Sequence, residues 1–349
     1  MLLKEKIKPY MKYVTIKDVA KESGFSVSTV SRALNGDFSI RKETRLLITA
    51  KAEEMGYQKN PVAINLKFGH SRSIGVIVPE MKTPYAATVI DGIQEICDKE
   101  KYKVLIASSG ENAEKEKRNL DMMYQFMVDG IIACQCDCRF NTDRWKETSA
   151  DMPIVMYNRI NPNLDVPKII VDDETKAYLL VEHLIRSGRK RIAFIGVDPA
   201  RVYNSYLRMK GYQLALSRYH LDAPSSFMVM ADGMGCNDGA SAVDELICLH
   251  PDAIFAFTDT LAIGAMNRLT SLGYNVPKDM AVAGFSGTPM GTITRPMLTT
   301  VEPHLFTMGE EAAKLLLNII DNNKQENSGD YGDVTVEADL VYRQSTELE

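Results

Sequence analysis

Thr15-Ile-Lys-Asp-Val-Ala-Lys-Glu-Ser-Gly-Phe-Ser-Val-Ser-Thr-Val-Ser-Arg-Ala-Leu-Asn35 is the stretch on which the reading of this chain turns. Thr15 can cap a helix, and Asp18 stands three residues later in the capping-box position. Ile16, Val19 and Ala20 then fall on one face at helical spacing. Gly24 sits where a tight turn needs a residue without a Cβ, and Ser26 caps a second helix, Val27 to Leu34, with Val30 and Leu34 inward. The spacing of Ala20, Gly24 and Val30 has a mechanical sense. A small residue lets two helices cross closely, a glycine makes the turn, and a branched side chain holds the second helix down. A third helix from about Lys42 to Met55, ended by Gly56, supplies Leu46, Leu47 and Ile48 to close a three-helix core.

The outer face of the second helix carries Val27, Ser28, Thr29, Ser31 and Arg32. Small hydroxyl residues suit close approach to phosphates, and an arginine can fork-bond guanine in the major groove. Charge supports a polyanion partner. Residues 1–70 carry 13 Lys and Arg against 7 Asp and Glu, a net of +6, while the other 279 carry 28 against 39, a net of −11, recovering the whole-chain −5. A basic head on an acidic body suits a head that meets nucleic acid and a body that stays off it.

Beyond Ser73 the pattern becomes short apolar runs alternating with amphipathic stretches. Strands are expected at Ile74–Val78, Val104–Ala107, Ile131–Ala133 and Ile154–Tyr157, and again at Ile192–Gly196, Phe227–Met230, Ala253–Phe257 and Met280–Phe285. Helices near 85–100, 114–128, 142–150, 173–187, 203–219, 238–249 and 260–272 separate them. Two successive β/α runs predict two doubly wound lobes, with a ligand cleft where the carboxyl ends of their strands face each other.

Several stretches resemble one family throughout. They include Thr15–Ala20, Gly24–Asn35, Glu43-Thr44-Arg45 and Met55-Gly56-Tyr57 in the head. In the body they include Pro84-Tyr85, Val128–Ile132, Gly188–Ile192, Arg208–Tyr212, Phe257-Thr258-Asp259, Leu298–Val301 and Arg343–Thr346. On these residues the chain is identified as a member of the lactose/galactose-repressor family of transcriptional regulators. The resemblance implies a small all-α helix-turn-helix head plus an α/β core of two doubly wound lobes, similar to type I periplasmic binding proteins. The expected domains are the head over 13–58, a hinge helix over 59–70, and an effector-binding and dimerisation core over 71–346. Its first lobe takes 71–169 and 299–329, its second 170–298 and 330–346, with crossings near 170, 298 and 330.

The same resemblance implies roles for single residues. Val27, Ser28 and Arg32 face base edges, and Leu66 is a wedge for the minor groove, where an apolar side chain can unstack a base step. Thr15, Ser26, Thr29, Ser31, Asn35, Thr44 and Asn60 hold the DNA backbone. Tyr85, Arg159, Asn204, Arg208, Asn237, Thr258, Asp259 and Ser286 line the effector cleft, and Asn158 joins them through its place before Arg159. The partners implied are a pseudo-palindromic DNA operator, a small-molecule effector and a second copy of the chain. Three positions depart from the family's habit: Ile64 stands where arginine is usual, Ser286 where aspartate is common, and Asn237 where an aromatic residue often stacks on a sugar. The departures favour a sugar or a sugar acid as effector.

Other signals carry less. Cys134-x-Cys136-x-Cys138 has no Cys-x-x-Cys pairing and no evident fourth ligand, so no metal is expected. The six cysteines are expected as thiols. Asp232-Gly-Met-Gly235 lacks the third glycine of a dinucleotide fingerprint, and there is no phosphate-binding loop, no catalytic constellation and no cofactor motif. No apolar run reaches the ~18 residues of a membrane span, and no secretory segment opens the chain, so the expected location is the cytoplasm, at the nucleoid. The readings set against a repressor are a sugar-binding receptor and a carbohydrate-acting enzyme on the same layers.

Overall fold

The computed structural model describes residues 14–58, 70–222, 224–324 and 331–347. The chain divides into two compact units, Met1–Ser71 and Arg72–Glu349.

In the first unit, α1 (Ile16–Ser23), α2 (Val27–Leu34) and α3 (Lys42–Glu54) form the three-helix head. Thr15 closes a full capping box with Asp18, Gly24 ends α1 at φ 74°, and Ser26 caps α2 by accepting from Thr29 N. Val19, Val30 and Ile48 are fully buried at its centre, joined by Ala20, Ala33 and Ala52. The expectation for α3 needs correction: Leu46 and Leu47 are 63% and 55% exposed. Consecutive helical residues diverge by about 100°, so only Ile48 and Ala52, four apart, share the inward stripe. Met55 and Tyr57, beyond the helix, close the core instead.

The second unit holds two six-stranded sheets. The first comprises β1 (Ser73–Val78), β2 (Lys103–Ser108), β3 (Gly130–Ala133), β4 (Ile154–Tyr157), β5 (Lys168–Ile170) and β11 (Val334–Thr335), in the order β2-β1-β3-β4-β5-β11, parallel throughout. The second comprises β6 (Ile192–Val197), β7 (Met228–Ala231), β8 (Ala253–Ala256), β9 (Ala281–Phe285), β10 (Thr299–Pro303) and β12 (Ala338–Val341). Its order, β7-β6-β8-β9-β10-β12, repeats the first pattern, with β12 antiparallel. The intervening helices are α4 (Pro84–Lys99), α5 (Ala113–Gln125), α6 (Thr142–Asp151), α7 (Asp173–Arg186), α8 (Tyr203–Arg218), α9 (Cys236–Leu246), α10 (Asp259–Ser271) and α11 (Leu305–Lys324). The central strands β1, β3, β4, β6, β8, β9 and β10 are buried almost throughout because helices cover both faces of each sheet, which is why they read as apolar runs, while the edge strands β2, β7, β11 and β12 are mostly half-buried or exposed. In such a strand order, the winding reverses beside the first strand of each lobe, and a crevice opens at the carboxyl ends there.

The crossings between lobes differ from those expected. Strand β10 pairs with β9 in the second sheet, Thr299 opposite Ala283, so the chain cannot leave that lobe before Pro303. It then returns as α11 against α4, and β11 extends the first sheet beside β5. The crossings therefore fall at 170–173, 303–305 and 335–338, and β10 belongs to the second lobe. The α4–α11 contact is backbone to backbone: a Cβ at Gly92 would lie 2.1 Å from Phe306 O, and one at Gly309 2.0 Å from Val89 O. Among the described residues no helix is long and apolar enough to cross a membrane.

Candidate DNA-reading face and ligand cavity

The head presents α2 outward. Val27 is 42% exposed, and Ser28, Arg32 and Asn35 are exposed around it, with Thr29 and Ser31 half-buried. The Ser26 hydroxyl lies 2.8 Å from both Ser28 Oγ and Thr29 Oγ1, so the opening turn of α2 is a linked row of hydroxyls. The Thr15 hydroxyl donates to Asp18 Oδ2 at 2.7 Å, and Thr44 is half-buried in the first turn of α3. Lys17, Lys21, Arg41 and Lys42 are exposed on the same small unit. Sequence reasoning missed Arg45, which donates to Gly36 O at 3.1 Å and stacks 5.2 Å over Phe38, a ring left 94% exposed just past α2. Asn60, Ile64 and Leu66, with the whole expected hinge helix, lie outside the described residues.

In the core, a cavity of about 490 Å³ opens between the lobes at the carboxyl ends of the strands. Tyr85, from the first turn of α4, Tyr157, at the end of β4, and Phe257, just after β8, give it aromatic walls. Burial pushes the phenol pKa of Tyr85 and Tyr157 upward, so both hydroxyls stay neutral donors. Asn158, held at φ 55°, accepts from Asn204 Nδ2 at 3.1 Å, one amide from each lobe. Asn204 Oδ1 is buried with no hydrogen-bond partner.

Arg208 projects from α8 and is only 5% exposed. Its Nε donates to Asp173 at 2.7 Å, its Nη1 to Phe257 O at 2.6 Å, and its guanidinium lies 3.6 Å from the Phe285 ring centroid. Burial pushes the Asp173 carboxyl up while Arg208 pulls it back down. Arg159 forms an ion pair with Glu111 at 2.7 Å. Burial works against the Arg159 charge, yet the carboxylate of Glu111 holds its pKa above the ordinary value.

Seven of the nine residues expected at the effector cleft line this cavity: Tyr85, Asn158, Arg159, Asn204, Arg208, Thr258 and Ser286. Two do not. Asn237 is exposed to solvent, because Asp238 turns back to accept from Gly235 N at 2.7 Å and takes the inward position itself. Asp259 is fully buried behind the wall, accepting from Thr300 Oγ1 at 2.5 Å and Thr288 N at 2.8 Å. Burial raises its pKa to about 6. Thr258 caps α10 through Leu261 N at 3.3 Å, and Ser286 Oγ accepts from Asp259 N at 3.4 Å, so both have structural work beside the cavity. Glu111, Met234 and Thr288 line the cavity too and carried no signal in the sequence.

The three clustered cysteines do not converge. Cys134 lines the cavity, Cys136 is buried beside Glu116, which accepts its backbone N–H at 2.8 Å, and Cys138 Sγ donates to Ala200 O at 3.0 Å. Among the described residues no group of three or more His, Cys, Asp or Glu could hold a metal ion.

A helix-turn-helix head in the same chain as a two-lobed core with a polar and aromatic cavity is the build of a ligand-responsive DNA-binding regulator. Comparison with known proteins agrees. Residues 15–60 match the bacterial regulatory proteins of the lacI family, and residues 181–346 match a periplasmic binding protein-like domain. Catabolite control protein A of Priestia megaterium is 32% identical over 337 residues, 95% of this chain and 99% of the relative. The transcriptional repressor CytR of Escherichia coli K12 is 30% identical over 334 residues, 95% and 96% of the two chains. A crystal structure of the regulator CcpA of Lactococcus lactis is 25% identical with a TM-score of 0.73, covering 79% of this chain and 99% of that one. The lac repressor dimer bound to operator shares the fold, with a TM-score of 0.82 over 96% of this chain and 99% of that one at 24% identity. This chain belongs to the lacI family of transcriptional regulators, with a DNA-binding head and an effector-binding core.

Proposed function

We propose that this chain is a homodimeric repressor whose affinity for a pseudo-palindromic operator is set by a carbohydrate bound between the lobes. The observation that carries the carbohydrate is Asn204 Oδ1, a buried acceptor without a donor in the wall of the cavity. A buried acceptor left unsatisfied costs about 1–3 kcal/mol, so a ligand hydroxyl that draws the Asn204 amide towards the cavity gains it back. Tyr85 offers a ring face beside it, and the guanidinium edge of Arg208 not taken up by Asp173 and Phe257 O offers a further N–H donor for a ligand oxygen. In this reading Val27, Ser28 and Arg32 reach base edges, Leu66 wedges the minor groove, and Thr15, Ser26, Thr29, Ser31, Asn35, Thr44 and Asn60 hold phosphates.

Ligand binding and operator binding are then linked. The effector shifts operator affinity by its differential affinity for the two lobe arrangements, and by no more. The ligand is bound and released unchanged, so a sugar that binds shows no turnover. The test is a gel shift on a binding site selected from random DNA, repeated with a panel of sugars, alongside thermal unfolding with the same panel. A sugar that raises the unfolding temperature and changes operator affinity supports the reading. Operator binding indifferent to every sugar that binds the core overturns it.

A further inference from the structure

One carboxylate in the cavity has a job that neither the fold nor the operator-binding role accounts for. Glu111 stands in the loop between β2 and α5, in the first lobe. Its Oε1 pairs with Arg159 of the same lobe at 2.7 Å, and its Oε2 with Arg201 of the second lobe at 2.9 Å. Arg201 is itself fixed, donating to Asp232 O at 3.1 Å. The three side chains are largely withdrawn from solvent, 14% exposed for Arg159, 18% for Arg201 and 28% for Glu111. Glu111 also holds φ 59°, the left-handed region that a side chain other than glycine enters at a cost, with its N–H tied to Pro79 O at 2.8 Å. Strain of this kind persists where the surroundings over-determine it, at ligand clamps and switches.

Two guanidinium groups meeting at the edge of a cavity, Arg159 in its wall and Arg201 behind Glu111, make a seat for a carboxylate or phosphate. Here the protein already supplies the anion. The second arginine of the wall, Arg208, is matched by Asp173. The other charged side chains that line the cavity, Glu80, Lys82 and Asp238, carry one more negative charge than positive, which offsets the surplus arginine. The formal charge around the cavity is therefore zero.

We propose that Glu111 is a built-in counter-anion: it occupies the seat between Arg159 and Arg201, so that the cavity takes neutral polyols and rejects sugar acids and sugar phosphates. The proposal deepens the carbohydrate reading above and rests on it for the identity of the neutral ligand. An anionic ligand would have to displace a tethered carboxylate from two arginines and then sit beside that displaced negative charge. A neutral one leaves the trio intact.

The test uses inorganic phosphate as a probe that needs no knowledge of the natural ligand. Phosphate is titrated at constant ionic strength into the full-length protein and its Glu111→Gln variant, read by calorimetry and by the unfolding temperature. Glu111→Gln is expected to bind phosphate at least tenfold more tightly than the parent, and Glu111→Gln/Arg201→Gln to lose that gain. Equal phosphate affinity in parent and Glu111→Gln overturns the proposal, and so does a gain that survives removal of Arg201. A second reading needs no variant. The unaltered protein is titrated with D-glucose, D-galactose and D-ribose beside D-gluconate, D-galacturonate and ribose 5-phosphate. A neutral sugar as the tightest binder is expected, and a charged one overturns the role of Glu111. If none of the six binds, the carbohydrate reading fails while the phosphate titration still decides what Glu111 does.

Discussion

Arg208→Ala should be among the most damaging single substitutions in the core, and its damage should depend on pH. Arg208 and Asp173 are each 5% exposed and pair at 2.7 Å within the second lobe. Removing one member of a buried pair costs about 3–5 kcal/mol, because the remaining charge loses its partner without regaining water. The contact with the Phe285 ring adds about 1–2 kcal/mol for a desolvated cation over an aromatic face. The carboxyl of Asp173 is already pushed up by burial, and Arg208 is what pulls it down. Without the arginine its folded-state pKa rises further above the unfolded value. In the window between those two values the native state holds the proton more firmly, so stability falls as pH rises through it. The gap between variant and parent should therefore be widest above that window and narrow as pH falls through it. Urea unfolding read by circular dichroism measures it, and the fluorescence of Trp145, the one tryptophan and buried in the first lobe, shows whether both lobes unfold together. Asp173→Asn/Arg208→Met should recover at least half the loss. A penalty below about 1 kcal/mol, or one that is flat with pH, would sink the argument.

Three further outcomes follow from the same geometry. Gly264→Ala puts a Cβ 2.0 Å from Cys236 O where α10 crosses α9, and with backbone rather than a flexible side chain in the way it should cost about 3 kcal/mol, read as a fall in the urea midpoint. Asp259, with its pKa raised to about 6 by burial, penalises the folded state once ionised. Stability from this group falls between about pH 4 and pH 6, so Asp259→Asn should gain about 2–3 kcal/mol relative to the parent at pH 7.5 and almost nothing at pH 4. Arg32→Ala, on an exposed turn of α2, should leave thermal stability unchanged and weaken specific operator binding about tenfold or more, while relaxing preference at one base pair in a gel-shift series.

How much of this was legible in the sequence depended on the range of each interaction. The Thr15–Asp18 box, Gly24 and Ser26 act within four residues, and the head follows from them almost alone. The doubly wound lobes follow from apolar runs, because helices on both faces of a sheet bury nearly every residue of its central strands. The strand ends carried the cavity for the same reason: Tyr157–Arg159 and Phe257–Thr258 sit where β4 and β8 stop. Leu46 and Leu47 misled because three successive apolar residues on a helix cannot all face inward. Asn237 misled because one capping bond, Asp238 to Gly235, rotates the turn. The trio of Glu111, Arg159 and Arg201 could not be read at all, since its members lie 48 and 90 residues apart and belong to two lobes. Nothing local marks a glutamate before a helix as anything but a favourable N-terminal charge.

The contrast between what holds each lobe and what joins the two explains how such a core can respond to a ligand. Within a lobe, helices meet backbone to backbone at Gly92 and Gly309 or at Gly239 and Gly264, contacts with no slack to take up motion. Between the lobes, by contrast, the contacts around the cavity are polar and few. Arg139 reaches Asp198 at 2.7 Å, Glu111 reaches Arg201, Asn158 meets Asn204, and the Cys138 thiol donates to Ala200 O. Partly exposed ion pairs and single hydrogen bonds of this kind are worth about 1 kcal/mol each, whereas repacking a lobe interior costs several times that. A ligand contributing a few kcal/mol can therefore change the angle between lobes without deforming either. Since the chain passes between them only at 170–173, 303–305 and 335–338, the connections allow a rigid-body rotation about three short segments, and the Asn158–Asn204 amide pair is the contact a neutral ligand would reset first, with the Glu111 trio kept as a fixed link.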